Sequence, residues 1–544
     1  MELINQHTKK IMEECKIRAR DAGLKFGDET LEYLVTNRDL IRLEPKVFIP
    51  TRYDYWIDDV NVLKGNGEYE LEPNNPYETV INTRPAISFY NDNNPDWLNT
   101  MIFYHVLAHI DFFQNNKLFA KTWNDDFTGQ ALADKRLIAK LRGEKGRWVD
   151  YAIEFSRGLD NILGFFGELA ENDFPPDKKL SDKIEFYFNE FLQGKLKISH
   201  HEFLKEMERY NAIENESLRE SMFFADVPQK YSEFASSFKK CQEEKQEKAK
   251  DILGFVILNS PKLKKEENKW MIPIMHIVRN TGLYFSPQMR DQIINEGWAA
   301  YWHDKLFRQD EKMRTHEIEY AITNSRAVTI PRLGLNPYGI GKALIEHVEE
   351  LTERGKMSLD FQRIRNIETR EEYNKKTGKG KEAIFKLREN FSDFTLINTF
   401  VDQDFVDKNN LFVAGQKISS NPFDSAMEIY VKSKKAEDYK KVLLDSLYHP
   451  PSIHVDEEKT NDSVLYLVHN FEGKQLVKDF IPNVMIGTEF LYGAKVQLET
   501  TEVVEDEEDE ERNLFNESEN SDELKWQKVR YTIENRKISK ENIS

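Results

Sequence analysis

The stretch MIFYHVLAHIDFFQNN, Met101 to Asn116, is where the reading of this chain turns. It sits inside a long run, from Trp97 to about Asn280, dominated by helical periodicity, with wide proline-free windows and charged residues opposite apolar ones. On a helix His105 and His109, four apart, share one face a single turn apart. Helical zinc sites use that spacing to let two imidazoles grip one ion. In the hydrolytic form of the motif, His-Glu-x-x-His, the glutamate is the general base. Here Val106 takes its place, so the ligands are present and the usual base is not. Asp111 and the Asn115-Asn116 pair follow closely, as a candidate base and as supporting or capping groups.

A second helix-like segment completes the constellation. INEGWAAYWHDKLF, Ile294 to Phe307, is rich in aromatics, with Glu296 near its start and His303 seven residues on, on the same face. One group of helical metallopeptidases takes a third ligand, a glutamate, from a downstream helix, and Glu296 fits that part. His303 is then a fourth ligand, a proton donor or a partner to Glu296. The bland alternative is that all four are buried polar side chains satisfying one another in a helical bundle. In LGLNPYGIGKALIEHVEE, Leu333 to Glu350, Asn336-Pro337-Tyr338 caps a helix and Gly339 and Gly341 allow close packing. Asn336, Tyr338 and Trp298 are candidate cavity-lining residues. The aromatic and acidic stretch from Phe48 to Glu70 reads either as packing under a loop or as a groove for sugars or peptides.

Outside these motifs the chain divides by texture. Residues 1 to 45 read as amphipathic helix, and Val47 to Pro95 as loops and short strands, with ETVINTRPAISFY (78–90) supplying two extended segments. From about 390 short β-rich runs appear, DFTLINTFV, AMEIYVK, SVLYLVHNF, KVQLETTEV and KWQKVRYTIE, with helices at 436–447 and around 480–492. The expected fold is therefore mainly α with a smaller C-terminal α+β domain: a helical domain over 1–385 carrying the zincin-like metal-site helices, and an α+β domain over 386–544.

Composition sets outer bounds. The chain has 544 residues, 39% of them hydrophobic and 32% charged, and a net charge of −18. The run from Glu502 to Glu523 holds twelve acidic residues and one basic, supplying −11 of that total, and is expected to be a disordered acidic insertion. Such a balance argues against nucleic-acid or anionic-membrane binding. Two cysteines, Cys15 and Cys241, without metal spacing favour a reducing cytosol, and neither a signal peptide nor a transmembrane segment is expected. No nucleophile triad, Rossmann or P-loop signature is present.

HVLAHIDFFQNN, NEGWAAYWH and NPYGIG, in this order and at these separations, resemble the signature segments of the SpoVR family, named for stage V sporulation protein R. GEYELEPNNPYETVIN, DILGFVILNSPKL and SDFTLINTFVDQDFVDKNNLF are similar to the family as well, so the resemblance runs from about 10 to 500. The chain departs from the family at Leu107-Ala108, usually Tyr-Gly, at His276, where arginine is common, and at 502–523. The resemblance implies a cytoplasmic bacterial protein linked to spore cortex formation or to stress response, with a PrkA-type serine protein kinase as partner. Two functions follow as expectations. One is a metal-dependent hydrolase with His105, His109 and Glu296 holding a divalent ion, zinc foremost, and His303 or Asp111 moving protons. The other is a non-catalytic regulatory or scaffold protein acting with the kinase.

Overall fold

The computed structural model describes residues 2–27, 29–36, 49–51, 79–122, 127–159, 182–196, 205–206, 209–210, 212–213, 219–239, 251–358, 361, 363–418, 427–448, 450–471, 473–504 and 525–543. The chain forms two compact units, Met1–Phe165 with Lys265–Pro451, and Phe166–Lys264 with Ser452–Ser544. Each unit is thus built from two separate lengths of chain.

The first unit is helical around a small sheet. Strand β1 (Glu2–Leu3) precedes helix α1 (Gln6–Asp21), capped by the Asn5 side chain on the Thr8 amide. The reading of 1–45 as helix holds for α1 but not for β2 (Thr30–Val35), whose β-branched and aromatic residues pair in parallel with β4 (Ala86–Asn91). With β3 (Thr79–Ile81) these give a sheet of order β1-β2-β4-β3, so 78–90 supplies the two extended segments expected of it. Helix α2 (Asp96–Asn115) packs on β3 and β4, and everything from Leu98 to Phe112 is buried. A helix buried on all sides has no room for unsatisfied polar groups, so its polar residues must find partners within the protein.

Four further helices follow: α3 (Met271–Arg290), α4 (Gln292–Gln309), α5 (Glu317–Val328) and α6 (Pro337–Glu353). Helix α4 packs on both α2 and α6. Its meeting with α6 is set by two glycines. A Cβ built on Gly297 would lie 2.3 Å from the carbonyl carbon of Gly341, and one on Gly341 would lie 2.0 Å from the Ile293 oxygen. Backbone meets backbone there, and no flexible side chain can yield. Gly341→Ala is therefore expected to cost about 1–3 kcal/mol through forced separation of the helices, seen as a lowered urea midpoint of the full chain. An unchanged midpoint would show that the crossing is looser than described.

DFTLINTFV is a correction. Read as a β run, Asp393–Phe400 is helix α8, following α7 (Gly380–Asn390). Its start is fixed by a capping box between Ser392 and Thr395. Its buried Leu396, Ile397 and Phe400 lie on one helical face. The buried Asp393 carboxylate then accepts from the Ile293 and Ile294 amides at 2.8 and 2.7 Å, capping α4 from a distant part of the chain. Strands β5 (Val413–Ile418) and β6 (Met427–Ser433) form a hairpin, and the helix Ala436–Ser446 follows as expected.

The second unit carries a five-stranded sheet of order β11-β10-β9-β8-β7, comprising β7 (Ile453–Val455), β8 (Val464–His469), β9 (Lys495–Val503), β10 (Trp526–Glu534) and β11 (Lys537–Asn542). The helix Ile481–Tyr492 crosses between the parallel strands β8 and β9 and ends at Gly493, whose φ of 85° is left-handed. Strand β9 alternates between buried and half-buried positions, as a sheet with one covered face requires. Strands β9 and β10 are antiparallel, and the acidic run between them lies, apart from Glu502 to Val504, outside the described residues. So do most of Phe48–Glu70 and the charged stretch 240–250. Among the described residues no helix is long and apolar enough to cross a membrane.

Candidate metal centre

Helix α2 presents His105 and His109 on one face, both under 5% exposed, with ring centroids 4.7 Å apart. Helix α4 crosses so that Glu296 stands opposite them. Its Oε2 is 3.5 Å from His109 Nε2 and 3.9 Å from His105 Nε2. Among the described residues, this is a group whose ligand atoms all lie within 4.8 Å of one another.

The proton positions follow from the surroundings. Asn295 Oδ1 lies 2.9 Å from His109 Nδ1, and an amide oxygen only accepts, so Nδ1 carries the hydrogen and, in the neutral ring, Nε2 holds the lone pair. For His105 the argument is longer. Asp304 accepts from Arg308 Nε at 2.7 Å, Tyr320 Oη at 2.8 Å and Asn324 Nδ2 at 3.3 Å. Burial would raise its pKa, but hydrogen bonds from Arg308 and Tyr320 and the charge of Lys342 outweigh that and hold it below the usual carboxylate range. An ionised carboxylate only accepts, so Asn324 turns its amide nitrogen to Asp304 and its Oδ1 to His303 Nε2, at 2.8 Å. His303 then donates through Nε2 and offers its Nδ1 lone pair to His105 Nδ1–H, at 2.8 Å. With both rings neutral, the lone pair of His105 is on Nε2, facing Glu296.

Three acceptors therefore face one another. Glu296 Oε2 is buried and makes no hydrogen bond to any described residue. Two imidazole lone pairs and a carboxylate oxygen at such separations repel unless positive charge sits among them, and neutral imidazoles with a carboxylate are the donor set a divalent cation takes. The residues present fit such an ion.

Each remaining expectation finds its place. His303 stands behind His105 with both ring nitrogens engaged, so it orients a ligand candidate and is not turned to the group itself. Asp111 lies about 200° around the helix from His109. It is fully buried, accepting from Trp298 Nε1 at 2.9 Å and the Lys25 amide at 2.6 Å, with Arg388 Nε at 3.3 Å. Burial pushes its pKa up to about 6, against the pull of Arg388. Those partners hold it away from the cluster. Trp298 is buried beside it and lies away from the cavity, and Asn336 caps α6, donating to Ala327 and Thr329 carbonyls at 2.8 and 2.9 Å. Tyr338 does line the cavity, its ring stacked on His105 at 5.9 Å. The exposed His276 is not part of the cluster.

A cavity of about 690 Å3 opens at the group, with His109, Asn295, Glu296 and Tyr338 in its wall. Sequence reasoning missed Asn295, Asn324, Asp304 and Asp393. Asn295 and Asp304 had a weak signal, standing next to Glu296 and His303; Asn324 and Asp393 are joined to the site only through the fold.

Comparison with known proteins agrees with the motifs. The family described as SpoVR like protein matches residues 2–449. That range ends before the five-stranded sheet. The uncharacterized protein YcgB of Escherichia coli (strain K12) is 22% identical over 341 residues, 59% of this chain and 59% of that protein. The chain thus spans about three fifths of the length of the curated relative it matches. No solved structure matches.

Proposed function

The chain belongs to the SpoVR family, and on that premise we propose that it is a metal-dependent enzyme of hydrolase type whose centre is His105, His109 and Glu296. The observation that carries this reading is the convergence of His105 Nε2, His109 Nε2 and Glu296 Oε2, at 3.5 and 3.9 Å, at the wall of a cavity. Zinc is the first choice, because two imidazoles and one carboxylate are one of its protein ligand sets at catalytic sites. When bound, such an ion polarises a carbonyl and lowers the pKa of water to about 7. The protein's own part is to hold the rings: Asn295 orients His109, and His303 with Asn324 orients His105. The cytoplasmic setting, and the link to spore cortex formation or stress response, are proposed along with it.

Elemental analysis of the purified full-length chain, dialysed against zinc, is the test. About one ion per chain is expected, and none in His109→Ala or Glu296→Ala that keep the wild-type circular dichroism. A wild-type chain that emerges metal-free overturns the reading.

One observation favours the second reading, a non-catalytic protein acting with a PrkA-type serine protein kinase. Val106, fully buried, occupies the position of the usual base, and neither Asp111 nor His303 replaces it. Kinase capture that survives His105→Ala, with no hydrolysis by the wild type, would favour that reading.

A further inference from the structure

The helical wall of the cavity is ordered along its length. Val278, Thr281, Phe285, Gln288, Gln292 and Asn295 recur every three or four residues across the one-residue break at Asp291, and the next residue is Glu296. Within each helix that spacing keeps the side chains on one face, and both sets line the same cavity. In chain order they pass from apolar side chains, through three primary amides, to the carboxylate of the proposed centre. The Gln288 and Gln292 side chains make no hydrogen bond to any described residue, and the Asn295 side chain uses only its oxygen, on His109. Two buried threonines, Thr51 and Thr79, and Phe113 also line the cavity.

Charge is scarce. Among the described lining residues, beyond His109 and Glu296, the one full charge is Arg157. Its side chain is 52% exposed, and one nitrogen is engaged by Glu154 at 3.2 Å, leaving the rest of the fork to a ligand. A polyphosphate needs several cations or a glycine-rich loop, and neither is on this wall. Primary amides both donate and accept, which matches the alternating N–H and C=O of an extended peptide. Apolar positions at one end suit a hydrophobic side chain, and a lone guanidinium suits one carboxylate. The volume is in the roughly 300–1,000 Å3 range of ligand pockets.

We propose that this cavity binds a short, extended peptide or N-acyl amino acid with an apolar side chain and one free carboxylate, its amides against Gln288, Gln292 and Asn295 and its anionic end at Arg157. This deepens the reading of the same site by naming what lies beside the metal.

Calorimetric titration of the full-length protein with N-acetyl-alanyl-leucine tests it. Saturable binding near one per chain is expected, about tenfold weaker for Arg157→Ala, for Gln292→Leu and for the C-terminally amidated probe. Both substituted side chains are exposed, so folding tolerates their loss. No saturable heat, equal affinity in all three comparisons, or tighter Gln292-dependent binding of cellobiose or pyrophosphate overturns the proposal. Repeating the titration on Glu296→Ala separates the two readings. Peptide binding without metal uptake by the wild type removes only the metal, whereas metal uptake without peptide binding removes only the peptide.

Discussion

Asp111→Asn is expected to destabilise the protein by about 3–5 kcal/mol, the cost of leaving one member of a buried ion pair without its partner. Asp111 and Arg388 are both fully buried, with Oδ2 and Nε 3.3 Å apart. The same carboxylate receives Trp298 Nε1 and the Lys25 amide, so α2, α4, α7 and the segment that follows α1 all meet on it. Asparagine keeps the shape, but it removes the charge that offsets Arg388 and turns donors toward donors; each orphaned group costs about 1–3 kcal/mol. Arg388→Met alone should do comparable harm. The double change Asp111→Leu/Arg388→Met should recover much of the loss, because an apolar pair of similar volume can replace a buried ion pair at little net cost. Urea unfolding followed by circular dichroism reads all three. If Asp111→Asn unfolds within about 1 kcal/mol of wild type while turnover is lost, Asp111 is a reacting group and its structural assignment here fails.

That contrast marks where the sequence was legible. His105, His109 and Glu296 stood out because helix spacing converts positions in the chain into positions on a face, and the three do stand together. The strands over 79–91 were legible from the turn residues around them. Asp393–Phe400 was misread because a run of Phe, Thr, Leu and Ile favours a strand, while the Ser392–Thr395 capping box and the bonds from Asp393 to the α4 amides decide for helix. Asp111 looked like a base because it is near His109 in the chain, but two residues along a helix turn a side chain to the far side. Asn324 could not have been found at all. Nothing in AITNSR marks it, and its role exists only because α5 packs on α4 and brings it between His303 and Asp304.

Asn324 also supplies the second large effect. Zinc at a thousandfold excess over its dissociation constant is expected to stabilise the wild type by about 4 kcal/mol, since an ion that binds only the folded chain shifts unfolding by mass action. Glu296→Gln should abolish that gain, because an amide in place of the carboxylate removes the negative charge from the group. Asn324→Leu leaves His105, His109 and Glu296 in place but cuts the chain of hydrogen bonds from Asp304. His303 can then protonate at either nitrogen, and His105 loses the bond that keeps its lone pair on Nε2. Loss of such an orienting partner typically weakens metal binding by about 10–100-fold, so Asn324→Leu should keep a reduced zinc-dependent rise in melting temperature that recovers as zinc is increased. A merely structural asparagine predicts otherwise: a lower melting temperature without zinc, and a zinc-dependent rise as large as in the wild type. A full-sized rise in Asn324→Leu would mean that His105 orients itself, and that the chain from Asp304 to the ring serves packing alone.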